Sequence, residues 1–249
     1  MTGTDVRVTA GMATERVNSG WSRDDGMRPS GGENTQIVMP VCYTKIMKLF
    51  GGITLQRALP WILVITGAIG LLCACIIMYD KIALAQDPNF RPGCDLNPVI
   101  SCGSVMQSEQ ATAFWNIPNP FIGMVGFTVV LTTGMAILAG AKFKRWYWLG
   151  LQAGTIFGVG FVHWLFYQSV YNINALCPFC MVVWTVTITA FWYTTLYNIQ
   201  AGHIKLKGKL EQVASFARRH HLDILFFWFL LIAFFILKHF WYYYGEQLF

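Results

Sequence analysis

A chain of 249 residues with 55% hydrophobic and 12% charged side chains and a mean hydropathy of +0.47 is not composed like a water-soluble domain, which carries about 25% charged residues. The formal charge of +6 does not signal nucleic acid, because the basic residues fall between apolar runs rather than on one patch, as membrane topology determinants do. Seven cysteines are too few for a disulfide scaffold, so their positions carry the information.

In chain order, residues 1–54 are rich in Gly, Ser, Thr and Arg without apolar periodicity, and predict a disordered cytoplasmic tail containing Cys42. Five apolar stretches then approach the roughly 20 residues needed to cross a bilayer: residues 58–79, 120–141, 146–167, 177–197 and 222–237. The first follows a region too long for a cleaved secretory signal, so Ala83-Leu84-Ala85 and Leu72-Cys73-Ala74-Cys75 are not processing sites. An aromatic tail of Trp241, Tyr242, Tyr243 and Tyr244 suits the headgroup belt. The predicted fold is all-α and polytopic. Residues 55–200 hold the first four spans with an outer loop at 80–119, and residues 201–249 supply a basic loop and a fifth span.

Fifteen of the 18 Lys and Arg residues lie N-terminal to the first span (residues 1–57), in the Lys142–Lys144–Arg145 turn and in the 205–219 loop, leaving Lys81, Arg91 and Lys238. Positive charge is retained in the cytoplasm. The N-terminus is therefore expected inside a plasma membrane, with Cys94, Cys102, Cys177 and Cys180 together on the extracytoplasmic side. Cys73 and Cys75 read as small hydrophobes in a packed interior.

Cys177-Pro178-Phe179-Cys180 carries the chemistry. Pro suits the first helical turn, where its missing amide would have been unpaired, so Cys177 is expected at a helix N-terminus, which favours a thiolate. Cys180 then lies one turn deeper, about 4.5 Å along the axis. The first sulfur would meet a water-borne disulfide, and the second would face a quinone headgroup at the lipid boundary. A zinc site would need a second ligand pair and c-type haem a following His; neither is present, and no metal is expected. The segment from Cys94 to Cys102, preceded by Arg91, Pro92 and Gly93, reads as a movable carrier. Residues 103–115 read as a short surface helix ending in an Asn116–Pro120 bend.

These residues together resemble the vitamin K epoxide reductase family, its actinobacterial members most closely. The resemblance rests on Cys94-Asp95, Ile100-Ser101-Cys102-Gly103-Ser104-Val105, Ser108, the stretch Asn116 to Gly123, and Cys177 to Cys180. It spans roughly residues 55–200. It implies a four-helix bundle around a quinone, menaquinone or a related vitamin K type, capped by the outer loop. It further implies that Cys180 acts on the quinone, Cys177 exchanges with Cys102, and Cys94 pairs with Cys102. Ser108 corresponds to the family's hydroxyl beside Cys180, and Asn119 to its quinone-binding asparagine. Trp184 stands where vertebrate members carry a Tyr donor; an indole donates but cannot accept. Asp95, beside Cys94, and His163, near the outer end of the third span, complete the candidate contacts.

The resemblance implies reoxidation of an extracytoplasmic thioredoxin-like (DsbA-like) protein at the expense of membrane quinone, and a pocket open to coumarin-type inhibitors. Since only five residues follow Tyr244, the thioredoxin-like partner is expected to be a separate protein. Reduction of vitamin K or its epoxide by protein thiols is the neighbouring alternative, and a transporter or scaffold with a structural disulfide is the non-enzymatic one. Among the remaining polar groups, Gln152 is expected to bridge helices and Asp80 and Asp87 to be solvated. His163 is expected either to serve a proton role or to be a hydrogen-bonded structural residue. The glycines at 150, 154, 158 and 160 are expected to permit close helix packing.

Overall fold

The computed structural model describes residues 55–87, 89–113, 116–241, 243 and 245. The tail with Cys42, and Trp115, Tyr242 and Tyr244, lie outside them. Five helices are long and apolar enough to cross a membrane, as expected for an all-α polytopic protein. They are α1 (Leu55–Gln86), α3 (Asn119–Leu138), α4 (Arg145–Tyr167), α5 (Pro178–Gln200) and α7 (His221–His239). The short α2 (Cys102–Gln107) and a 3-10 turn (Glu109–Thr112) lie between α1 and α3, and α6 (Lys209–Arg219) lies between α5 and α7.

Helix α1 is the central element, packing along both α3 and α5, while α4 packs along α5 and scarcely meets α3. Its approach to α3 depends on small residues. A Cβ at Gly67 would lie 2.6 Å from the Leu131 backbone nitrogen, and one at Gly134 would lie 2.9 Å from the Pro60 carbonyl oxygen. Lipid offers helices no hydrophobic reason to associate, so such backbone proximity supplies the packing energy. The polar bridge anticipated at Gln152 is present. Its Nε2 donates to Thr195 Oγ1 at 2.9 Å, and its Oε1 accepts from Asn198 Nδ2 at 3.0 Å, joining α4 to α5.

With 32 residues, α1 is about 48 Å long, against a hydrocarbon core of about 30 Å. It therefore runs past residue 79, where the first span was expected to end. The added turns contain the helix formers Ala83, Leu84, Ala85 and Gln86, and Leu84 packs against the Cys94–Cys102 region. Asp80, expected in solvent, is instead only 8% exposed on this helix, whereas Asp87 is exposed. Cys73 is buried as expected, but Cys75 is exposed on the opposite side of the helix.

Helix α6 was not anticipated in the basic loop. Leu210, Val213 and Phe216 are exposed on it while Ala214 is buried, a helical period that the surrounding Lys and Arg residues concealed.

Candidate functional site

Cys94 and Cys102 form a disulfide with Cα atoms 5.7 Å apart. The turn between them is fastened at several points. Asn97 Oδ1 accepts from the amides of Val99 and Ile100, at 3.0 and 2.7 Å. Asp95 Oδ1 accepts from the Gly103 amide at 2.9 Å and from the Ser101 hydroxyl at 3.1 Å. Ser101 Oγ in turn caps α2 by accepting from the Ser104 amide at 3.2 Å. A Cβ at position 103 would fall 2.8 Å from Asp95 Oδ2, so glycine permits this clamp. The segment expected to serve as a movable carrier is held in this turn by hydrogen bonds.

That turn is joined directly to the C-x-x-C motif. Helix α4 ends in a π-helical turn (Gln168–Ile173), after which Asn174 adopts a left-handed conformation with φ 57°. Asparagine tolerates this region better than most residues. The chain leaves it extended: the Leu176 amide donates to Val99 O at 2.7 Å, and Leu176 O accepts from the Ser101 amide at 3.0 Å. The result is a single parallel bridge between Ile100 and Leu176, with a cysteine immediately beyond each bonded segment.

Cys177 is the N-cap of α5 and Pro178 opens the helix, as the sequence indicated. Its surroundings differ from the expected water-facing thiol. Cys177 and Cys102 are both 0% exposed and Cys94 is 8% exposed; the three cluster with Ile77 and Met106. The disulfide turn lies over Cys177 and shields it from solvent. Cys177 and Cys180 are free thiols. A hydrogen bond from the Cys180 thiol, with smaller help from the amides of Cys180 and Phe179, holds Cys177 below the ordinary thiol range; burial and the Asp80 charge oppose this.

Cys180 borders a cavity of about 710 Å³ between α3 and α4, within the size range of ligand pockets. Its lining on α4 runs from Trp146 to Leu165, about 28 Å of helix, so the cavity extends through most of a bilayer's depth. Val125, Val129 and Phe157 line it and are also exposed, which opens it sideways between the two helices. Gly150, Gly154 and Gly158 belong to the lining. A Cβ at Gly150, Gly154 or Gly160 would meet nothing within 4 Å, and at Gly158 only Thr187. The glycine stripe therefore does not serve close helix packing as expected. It leaves room for an occupant.

The polar groups gather near Cys180's end of the cavity. Ser108 lines it and donates to Val105 O at 2.7 Å. Asn119 lines it while its amide ties down the capping segment: Oδ1 accepts from the Ala113 amide at 2.9 Å and Nδ2 donates to Gln110 O at 2.7 Å. One amide hydrogen of Asn119 remains for a ligand. Trp184 is 4% exposed, lines the cavity and meets Phe166 edge-on at 5.5 Å. Lys81, which sequence reasoning used only to assign sidedness, is the one charged side chain among the described residues of the lining; the length of α1 was the signal missed.

Two candidates lie elsewhere. Asp95 is not in the cavity lining; it clamps the disulfide turn. His163 faces α7 instead: Nδ1 is 2.7 Å from Val159 O, and Nε2 accepts from Trp228 Nε1 at 3.0 Å. Of the two readings weighed for His163, the hydrogen-bonded structural one matches this placement.

An apolar cavity with a few polar groups and a thiol at one end suits a planar carbonyl ring bearing a long apolar chain. The family model described as the vitamin K epoxide reductase family matches residues 61–195, more than half of the chain's 249 residues. A comparison with curated proteins gives no match.

Proposed function

The chain belongs to the vitamin K epoxide reductase family, and from that premise we propose that it passes electrons from an extracytoplasmic thioredoxin-like dithiol to a membrane quinone of the menaquinone type. Quinone is a substrate in this reading. The observation that carries it is the Ile100–Leu176 bridge, which sets Cys177 against the Cys94–Cys102 disulfide while Cys180 borders the cavity.

The exchange balances as follows. A partner thiolate attacks Cys94, the more exposed disulfide sulfur, and Cys102 leaves as a thiolate. Cys102 attacks Cys177 in a Cys177–Cys180 disulfide, and Cys180 leaves as a thiolate at the cavity. The partner's second thiol then frees Cys94, which attacks Cys102, restores the Cys94–Cys102 disulfide and releases Cys177. The partner is left oxidised and the Cys177–Cys180 pair holds two electrons. Reclosing that pair transfers the electrons, with two protons, to the quinone. For a two-electron couple about 30 mV corresponds to a tenfold bias, so a modestly more oxidising quinone drives the relay.

The clustering of basic residues outside the cysteine-bearing segments supports an extracytoplasmic position for this end of the bundle. Ser108, Asn119 and Trp184 are the proposed ring contacts, and the same cavity would admit coumarin-type inhibitors. The test is oxidation of a reduced thioredoxin-like protein by the purified chain, with and without menaquinone. Oxidation of many equivalents is expected only with quinone, the resting Cys94–Cys102 disulfide accounting for one equivalent without it, and multiple turnover is expected to be lost in Cys180→Ala. Quinone-independent multiple turnover, or full turnover by Cys180→Ala, would sink the proposal. Failure of thioredoxin-like dithiols alongside reduction of vitamin K epoxide by a small dithiol would favour the epoxide reading.

A further inference from the structure

Ala74, Ile77 and Lys81 occupy one face of α1 and all line the cavity. Among the described residues the lining is otherwise uncharged and almost wholly apolar, and Lys81 is half-buried in it, so the cation demands a physical account. Charges in such surroundings are costly unless paired. Lys81 Nζ donates to Met106 O at 3.0 Å, which occupies one of three ammonium hydrogens. The one ion pair among the described residues joins His220 to Asp223, so no described carboxylate neutralises Lys81. Asp80, its neighbour in sequence, is not in the lining. The ammonium is held at Met106 O, in the lining that also includes Ser108 and Cys180, with hydrogens to spare.

We infer that Lys81 is a catalytic residue that stabilises negative charge on a quinone oxygen and supplies one proton as the Cys177–Cys180 dithiol is oxidised. This deepens the quinone reading and rests on it. With the pair present as one thiolate and one thiol, closure of the disulfide releases two electrons and one proton. Hydroquinone formation needs two protons; the second comes from the Lys81 ammonium, and the resulting amine is reprotonated by water at the loop end. Before transfer, a fixed ammonium aimed at the oxygen lowers the barrier in the manner of an oxyanion hole, because it needs no reorientation as charge develops. A single cation held at Met106 O would therefore distinguish that end of the cavity from its apolar remainder.

Equilibrium binding to the purified full chain separates charge recognition from turnover. The probes are 2-hydroxy-1,4-naphthoquinone, an anion at neutral pH, and the neutral 2-methyl-1,4-naphthoquinone. Wild type is expected to prefer the anion. Lys81→Met is expected to lose about tenfold or more of the anion's affinity, as for a hydrogen bond to a charged group, with the neutral ring little affected. Lys81→Arg is expected to restore much of the preference. No anion preference in wild type, or its survival in Lys81→Met, overturns the role of Lys81 while neutral-ring binding upholds the cavity. Equal loss of both ligands in Lys81→Met assigns the residue to holding Met106 and also overturns it. If wild type binds neither ring and quinone fails to oxidise the Cys177–Cys180 pair, the quinone reading itself falls.

Discussion

Ile100 and Leu176 pair in a parallel bridge, with the Leu176 amide 2.7 Å from Val99 O and the Ser101 amide 3.0 Å from Leu176 O. Leu176 immediately precedes Cys177, and Ile100 is two residues from Cys102. The bridge fixes the approach of the two sulfurs that the proposed relay must join. Leu176→Pro removes one donor. In a Cys94→Ser, Cys180→Ser background, Cys102–Cys177 disulfide formation with a fixed amount of copper-phenanthroline and oxygen as oxidant should slow about tenfold, since loss of a hydrogen bond and of positioning together cost at least about 1.4 kcal/mol. Non-reducing electrophoresis measures the rate, and an unchanged rate would remove the bridge from the mechanism.

Two classes of glycine should respond oppositely to enlargement. Gly134→Ala would force a Cβ to 2.8–2.9 Å from Val64 and Pro60 O, and overpacking of this kind costs about 1–3 kcal/mol. A fall in melting temperature in detergent is the expected outcome. Gly154→Leu meets open space and improves helix propensity by about 0.8–1 kcal/mol. Melting should hold or rise while quinone affinity falls, because the side chain occupies the cavity. If Gly154→Leu binds quinone normally, the glycine stripe does not accommodate it.

How far these features could be read from sequence varies with the range of the interactions. The spans, the N-terminal position of Cys177 and the role of Pro178 follow from local composition and were legible. The glycines of α4 read as close packing, but the same spacing serves close packing and open space alike; only the α3 position decides. Asp80 and Lys81 were assigned to a loop because hydropathy falls after residue 79, although the helix continues to Gln86 on packing against the disulfide turn. The Ile100–Leu176 bridge joins segments 76 positions apart through backbone atoms, which leave no side-chain signature.

Cys177 is held below the ordinary thiol range mainly by the Cys180 hydrogen bond, against burial. A depressed value means that the thiolate persists to lower pH than it would in a thiol without that hydrogen bond. In the reduced protein, Cys180→Ala should therefore move the Cys177 thiolate transition, followed by ultraviolet absorbance, upward in pH. The pH profile of Cys177-dependent exchange should shift in the same direction. A transition unmoved by Cys180→Ala would assign the stabilisation to the backbone amides at the start of α5.

His163 tests whether an ionisable group in a span must belong to the chemistry. Its Nε2 accepts from the Trp228 indole at 3.0 Å, so the ring proton resides on Nδ1, which donates to Val159 O at 2.7 Å. Both nitrogens are committed, Nδ1 within α4 and Nε2 in joining α4 to α7, and the residue is not in the cavity lining. His163→Leu leaves the indole N–H of Trp228 without its acceptor. Interhelical hydrogen bonds in membranes are worth about 0.6 kcal/mol on average and up to about 1.7 kcal/mol, so the melting temperature should fall by a few degrees. Quinone affinity and turnover below the melting range should remain within about twofold of wild type, because a loss of this size is absorbed at the α7 contact. A variant that melts normally but loses turnover would instead place His163 on the proton path.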